Sequence, residues 1–508
     1  MRGAMRRNRS RSKKAREAGA VSAVSTGISR RDVLRGAGLL GLGLTLGRFA
    51  GRAEGAIVRP PGTLPFPDLP EGTDTLPQIE NIIILMMENH SFDNYFGALG
   101  APVGIPMLHG RPRAASPDGN GHLIHAFHMP STCQLNGAPG QNWNASHISF
   151  YNQNGGFVLA SGPVAMGYWT GADIPFYYGL ARTFPLAARW FGSTLCQTYP
   201  NRRFLMAGTA AGIISTSADS LRAPLPPNGN IFDRLSAHGV SWRNYYSDLP
   251  SLGVLLAFAQ QNVDKVSPIA QFFSDTEAGT LPAVSLVDPV YLHQGSEENP
   301  DDIRIGELFA SQVINATMNS PQWPKTLLLW LYDEHGGYYD HIRPPRAIAP
   351  DDIPPNLKPG DEPGGYDRYG FRVPAVVISP YARPKHLSYV VRDHTAVMRF
   401  IERKWNIGAL TFRDANSDDL SDCLDFTNPP AFLNPPTLPA PALAADNPPA
   451  CTPGDPGIIP PPEAVTPAPM PRAGVSSALR AREVDIPMGE PLAEAWAPLG
   501  IGPLAPVR

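Results

Sequence analysis

No apolar run in this sequence approaches the ~20 residues that a membrane-spanning helix needs. Cysteine is scarce. Cys133, Cys196, Cys423 and Cys451 are the only four, and none stands in a CxxC pair, so a structural zinc site has no ligand pattern. Their spacing leaves Cys423–Cys451, Cys133–Cys196 and free buried thiols all open. Charged residues make up only 17% and net to −3, which excludes a generic nucleic-acid binder. No internal repeat is visible, so solenoid architectures drop out. The composition also excludes collagen-like, coiled-coil and bulk-disordered classes. Proline (57) and glycine (48) are plentiful instead, in a chain of 508 residues. That length suits one large α/β domain or two to three ordinary ones.

The small net charge hides an asymmetry. Residues 1–56 hold 13 basic and 3 acidic side chains, a net +10, while the remainder holds 29 against 42, a net −13. Within this basic head, Ser29-Arg30-Arg31-Asp32-Val33-Leu34 precedes a Gly/Leu/Ala stretch from Gly36 to Gly47 and small residues at 53–56. Basic region, short apolar region and small-residue exit make an export pattern. The arginine pair resembles the twin-arginine (Tat) signal of bacteria. It implies the Tat machinery as a partner and a periplasmic, secreted or cell-surface protein with no stable membrane span.

Residues 57–78 read as a Pro-rich linker, and a body follows over 79–427. Short apolar runs at 79–86, 240–246, 283–287, 326–332 and 375–379 predict buried parallel strands. Helical patterns at 202–211, 303–318 and 394–405 lie between them, and such alternation predicts a parallel α/β sheet. The extension 428–508 opens with 16 prolines in residues 429–471. It predicts an extended tail along the surface.

In open α/β sheets, ligands sit beyond the carboxyl ends of the strands. Three polar clusters occupy that place here. Strand 79–86 runs into Glu88-Asn89-His90-Ser91-Phe92-Asp93, strand 326–332 into Asp333-Glu334-His335-Gly336-Gly337, and strand 283–287 into Asp288 and His293. A carboxylate beside an amide oxygen suits a divalent cation. Adjacent buried carboxylates are costly unless a cation neutralises them. Glu88, Asn89, Asp333 and Glu334 are thus candidate metal ligands, and all-oxygen donors admit Ca, Mg, Mn or Zn. In Gln197-Thr198-Tyr199-Pro200-Asn201-Arg202, Pro200 starts a helix well. Thr198 at its head is either an N-cap or a nucleophile in an anion-binding position.

ENHSFDNYFG, TYPNRRF, YDEHGGYYDH, RVPAVVISPYA and DHTAVMRFIE, in that order over residues 78–427, resemble the bacterial phosphoesterase family of phospholipases C and acid phosphatases, within the alkaline-phosphatase-like superfamily. The resemblance implies a doubly wound, mostly parallel sheet with helices on both faces and a covalent phospho-enzyme. It places the metal set on Glu88, Asn89, Asp333 and Glu334 and the nucleophile on Thr198. It puts histidines around the phosphoryl group at His147, His293 and His335; in the mechanism expected from these residues the metal, Arg202 and helix N–H groups stabilise the equatorial oxygens. Two positions depart from the pattern: His293 lacks the proline that often follows, and Cys196-Gln197 stands where phospholipases often carry Gly-Pro. The implied substrate is a phosphate ester, a phospholipid for a phospholipase C or a phosphomonoester for an acid phosphatase. A non-catalytic exported binding protein on the same scaffold is the alternative of another class. A sulfatase is disfavoured, since no Cys-x-Pro-x-Arg block occurs.

Overall fold

A computed structural model describes residues 58–502, except 109–110, 294, 444–450, 452–453, 456 and 469–484. The twin-arginine segment lies outside the described residues. The central sheet has eight strands: β1 (Asn81–Met87), β2 (Leu186–Ala187), β3 (Trp242–Tyr246), β4 (Val266–Pro268), β5 (Val284–Asp288), β6 (Thr326–Tyr332), β7 (Ala375–Ile378) and β8 (Leu387–Ser388). Their spatial order is β4-β3-β5-β1-β6-β7-β2-β8. All seven residues of β1 and all seven of β6 are buried, so both read as unbroken apolar runs rather than alternating ones. Each fully buried Leu or Ile there contributes about 1.5–3 kcal/mol.

One expectation needs correcting. The 375–379 run forms a strand, but β7 pairs antiparallel with both β6 and β2. An apolar run records burial and carries no direction. The other pairings are parallel, so the sheet is mostly parallel as expected.

Register sets up the site. β1 and β6 pair in parallel from Asn81↔Thr326 to Met87↔Tyr332. The chain therefore leaves both strands at the same level, and Asp333 N–H donates to the Met87 carbonyl at 3.3 Å. Helices α1 (Trp143–Asn154), α2 (Thr198–Ala207), α3 (Ile303–Asn319) and α4 (Thr395–Trp405) frame this edge.

The C-terminal extension also differs from a plain surface tail. Val465–Pro467 pairs antiparallel with His122–His125, and Gly489–Trp496 forms a helix with Leu492 and Trp496 fully buried. The described residues fall in a single compact unit. Proline-dense stretches cannot pack a core of their own, but the apolar residues beyond them can join one already present. Cys133 bonds Cys451, and Cys196 and Cys423 are free and buried. Neither pair suggested by spacing forms, because sequence distance does not report Cα proximity. Among the described residues no helix is long and apolar enough to cross a membrane.

Candidate active site

Glu88 and Asn89 follow β1 directly, and Asp333 and Glu334 follow β6. All four side chains are at most 2% exposed. Asn89 takes a left-handed backbone, φ 68°. Its carbonyl faces Gly336, where a Cβ would lie 1.7 Å from the Asn89 oxygen. The close approach of the two strand ends therefore requires glycine at 336. Asp333 Oδ1 accepts from the Asn89 N–H at 3.2 Å and the Glu334 N–H at 2.7 Å, which binds the two ends together.

Helix α2 brings the rest. Its N-cap is Gln197, whose side chain makes no capping bond, so Thr198 is the first helical residue rather than the cap. Asn201 fixes this junction. Its Oδ1 accepts from Ser193 N–H (2.7 Å) and Thr194 N–H (3.1 Å), and its Nδ2 donates to the Cys196 (2.7 Å) and Gln197 (3.1 Å) carbonyls. Arg202 lies one turn beyond Thr198 on the same face. Its Nε donates to Asp333 Oδ2 at 3.0 Å, and its guanidinium reaches Glu88 Oε1 at 3.7 Å. The Thr198 helix and the two strand ends thus form one cluster.

That geometry revises the role of Arg202. The guanidinium is fully buried and also donates to Tyr291 Oη (2.9 Å) and the Met87 carbonyl (3.3 Å). It is engaged by the carboxylates, Tyr291 and the Met87 carbonyl rather than open to solvent. The histidines separate as well. His335 Nδ1 lies 3.0 Å from Glu334 Oε2, while its Nε2 is buried without a hydrogen bond. His147 packs tilted against Trp143 and is bonded through Nδ1 to the Trp143 carbonyl at 2.8 Å; the charges that act on it are Glu362 and Arg368 rather than the carboxylate set. His293 is exposed, and its charge acts on Asp248 rather than on this cluster. The aromatics of 150–178 are mainly core: Phe157, Trp169, Phe176, Tyr177 and Tyr178 are buried.

The donor chemistry fits a cation. Both Glu88 oxygens, Asn89 Oδ1 and Glu334 Oε1 are buried and make no hydrogen bond. Burial, then neighbouring negative charge, pushes the Glu88 and Glu334 carboxyls well above the usual carboxylate range. Arg202 pairs with Glu88 and Asp333, and Glu334 beside them has no guanidinium or ammonium partner, which leaves a deficit of positive charge when these groups ionise. A divalent ion held by Glu88, Asn89, Asp333 and Glu334 would remove that deficit. The acidic group of Asp93 and Asp340 has cationic partners of its own: Arg372 donates to Asp340 at 2.9 Å and Asp93 at 3.1 Å, and His341 Nδ1 pairs with Asp93 at 2.7 Å.

One residue escaped the sequence reading. Glu88 N–H donates to the Ser296 carbonyl at 3.2 Å, so residues 296–298 run beside the first strand end. Glu298 there accepts from Gln141 Nε2 at 3.3 Å, and its charge bears on Glu88. The acidic run Glu297-Glu298-Asn299-Pro300-Asp301-Asp302 was the available signal.

A pH prediction follows from the buried acids and bases. Burial raises Glu297 to about 8 and Glu307 and Asp301 to about 7. Groups with raised folded values lose their stabilisation progressively as pH rises from the ordinary value of 4.5 through 7–8. Burial lowers His90 and His335 to about 3 and His147 to about 4. Those groups stay neutral in the fold and lose stabilisation as pH falls below 6.5. In chelator, the melting temperature should therefore peak between the ordinary values of the two classes, 4.5 and 6.5. A divalent cation should flatten the alkaline limb by favouring ionised Glu88 and Glu334. Melting temperatures that climb steadily to pH 8 in chelator would contradict this assignment.

The sequence profile of the Phosphoesterase family matches residues 79–408. Phospholipase C A of Mycobacterium tuberculosis is 29% identical over 430 residues, covering 73% of this chain and 81% of its own. Non-specific phospholipase C6 of Arabidopsis thaliana is 26% identical, covering 71% and 75%. Hemolytic phospholipase C of Pseudomonas aeruginosa is 29% identical over 70% of this chain, which spans only 57% of that longer protein. Among solved structures, a protein of the alkaline phosphatase superfamily from Vibrio parahaemolyticus aligns over 70% of this chain and 72% of its own. Its identity is 12% and its TM-score 0.33.

Proposed function

As a member of the Phosphoesterase family the chain is a phospholipase C-like hydrolase of phosphoric esters, and we propose that it works through a covalent phosphothreonine on Thr198, beside a divalent cation. The observation that carries this reading is the set of buried, unbonded oxygens on Glu88, Asn89 and Glu334, joined through Arg202 to the head of the Thr198 helix. When bound, the cation supplies Lewis acidity that lowers the pKa of a nearby hydroxyl and draws charge from phosphoryl oxygens. Thr198 Oγ1 attacks phosphorus in line, a Thr–O–P bond forms and the P–O bond to the alcohol breaks. In the first turn of α2, Pro200 carries no N–H and the Tyr199 N–H donates to Thr216 Oγ1 at 3.4 Å, so this reading leaves the Thr198 N–H to face an equatorial oxygen. His335 is the one predicted histidine that touches the carboxylate set, and in this reading its neutral imidazole takes the Thr198 hydroxyl proton while water protonates the departing alcohol oxygen. Water then attacks the phosphothreonine from the vacated side and releases the second product.

A phosphodiester of the phospholipid type is the favoured substrate, because several relatives carry the name phospholipase C. The test pairs p-nitrophenylphosphorylcholine with p-nitrophenyl phosphate, each with and without chelator. Diester cleavage that chelator abolishes and added cation restores is the expected result. Cleavage of the monoester alone would move the assignment to an acid phosphatase, and full activity in chelator would remove the cation.

Export belongs to the same proposal. The twin-arginine segment supports it, and so does the Cys133–Cys451 bond, since disulfides persist in oxidising compartments. Lysines in place of Arg30 and Arg31 should hold the protein inside the cell. Unchanged export of that variant would overturn the assignment.

A further inference from the structure

Three arginines converge outside the carboxylate set, beside the end of α1. Residues 344–347 and 367–369 form a short antiparallel ladder there. Arg346 bridges Arg368, the Ala347 N–H donates to the Asp367 carbonyl at 2.8 Å, and the Tyr369 N–H donates to the Pro345 carbonyl at 3.2 Å. Arg368 Nη1 donates to the Pro344 carbonyl at 2.9 Å, which fixes the direction of its guanidinium. Arg343 and Arg368 both sit over the ring of Phe150, 4.1 and 4.6 Å from its centroid. The ring offers its negative face to the cations.

The end of α1 is shaped to present this ring. Asn152, Gln153 and Asn154 take left-handed backbones in succession, with φ of 48°, 58° and 65°. Residues other than glycine persist there only where their surroundings hold them. Asn154 Nδ2 donates to the Asp340 carbonyl at 2.9 Å, three residues before Arg343. A Cβ at Gly156 would lie 1.8 Å from the Ile148 carbonyl oxygen, so the chain doubles back closely. This reversal leaves Phe150 half-buried and Tyr151 45% exposed.

The charge is one-sided. Residues 57–508 net −13, yet three guanidiniums meet at this spot. Among the described residues one carboxylate pairs with them, Asp367 with Arg346 at 2.7 Å. Glu362, the next acid, accepts from the Tyr151 hydroxyl. Arg343 is exposed, and so is the Arg346 side chain, at 57%. Burial, then the like charges of Arg346 and Arg343, pulls the Arg368 guanidinium below its ordinary value. Such crowding is relieved by an anion, and planar guanidiniums held in fixed directions match phosphate oxygens. The reaction site is close by, since Phe371, three residues beyond Arg368, packs on the His335 ring at 4.7 Å.

We propose that Arg343, Arg346 and Arg368, gathered around Phe150, form an anion site separate from the catalytic centre, which docks the protein on the phosphates of an anionic phospholipid surface. The arginines take the phosphates, and Tyr151 beside them suits the headgroup layer. A lipid held there is a docking ligand and is not turned over. The choice of a lipid partner rests on the phosphoesterase reading.

The test is sedimentation of the full chain with vesicles of phosphatidylcholine alone and of phosphatidylcholine and phosphatidylglycerol in equal parts. Turnover of p-nitrophenylphosphorylcholine is read on the same preparations. The wild type should sediment with the anionic vesicles only, and added salt should release it. Arg343→Gln and Arg346→Gln should each weaken that binding about 5-fold, and together about 25-fold. Soluble turnover and melting temperature should stay at the wild-type values. Arg222→Gln removes a 68% exposed arginine outside the cluster and should leave vesicle binding unchanged. Absence of binding, equal binding to both vesicles, or equal weakening by Arg222→Gln would overturn the docking site. Vesicle binding through these arginines without any turnover of the soluble diester would instead overturn the phosphoesterase reading and leave the anion site standing.

Discussion

Thr198→Ala is expected to reduce kcat by roughly four orders of magnitude or more, the scale seen when a nucleophile is removed from an intact site. The change should leave the fold intact, because the junction does not depend on the hydroxyl. Asn201 holds residues 193–197 to the helix through four bonds, and Gln197 occupies the cap position. Alanine is also a good first-turn residue. Cation binding should persist, since the four proposed ligands come from the strand ends. Thr198→Ser should retain a substantial part of the rate, as it keeps the oxygen. Burst kinetics with p-nitrophenylphosphorylcholine and calorimetric titration of cation into each variant provide the measurements. Near-wild-type turnover by Thr198→Ala would sink the nucleophile assignment.

Arg202→Met is expected to act on stability. The guanidinium is fully buried and is the only cation paired with Asp333 and Glu88 among the described residues. It also donates to Tyr291, whose hydroxyl in turn donates to Asp288 at 3.0 Å. Methionine preserves much of the volume and leaves the carboxylates unneutralised. Removing one partner of a buried ion pair typically destabilises by about 3–5 kcal/mol. The loss should be largest in chelator and smaller in a divalent cation, which supplies opposite charge to the same carboxylates. Arg202→Lys should recover little, because one ammonium cannot serve Asp333, Tyr291 and the Met87 carbonyl together. Denaturant titrations with and without cation test this, and a loss under about 1 kcal/mol in chelator would show that Arg202 does not hold the set.

The two predictions separate roles that the motif TYPNRRF places within one turn of each other. On the proposed reading, Thr198 is needed for the reaction and not for the fold. Arg202 is needed for the fold of the site and reaches the reaction only through the carboxylates. A helix brings residues four apart onto one face, which is why both could be proposed from spacing. Their difference lies in what each side chain meets, and those partners come from Asp288, Tyr291 and Asp333, about 90 to 130 positions away.

Strand ends were the most legible feature. β1 and β6 are each seven buried residues followed at once by charged ones, and that abrupt change marks a strand that exits into a site. Glu88, Asn89, Asp333 and Glu334 could therefore be named from local pattern. The histidines were less legible, because a histidine carries no periodic signal: His335 meets Glu334, whereas His293 is exposed. Glu298 escaped notice because its loop reaches the site through backbone contact with Glu88 rather than through a pattern of its own.

By itself the sequence determined the class of sheet, the strand ends that carry the carboxylates and the helix that carries Thr198. All of these depend on the order of residues within a few turns or one strand, where burial period and capping act. Tertiary structure alone decided the reversal of β7, the Cys133–Cys451 pairing, the engagement of Arg202 and the return of Asp485 to the Gln141 N–H. Each joins residues far apart in the chain. Closing such loops is governed by which surfaces fit together after the core has formed, and spacing along the chain does not encode that fit.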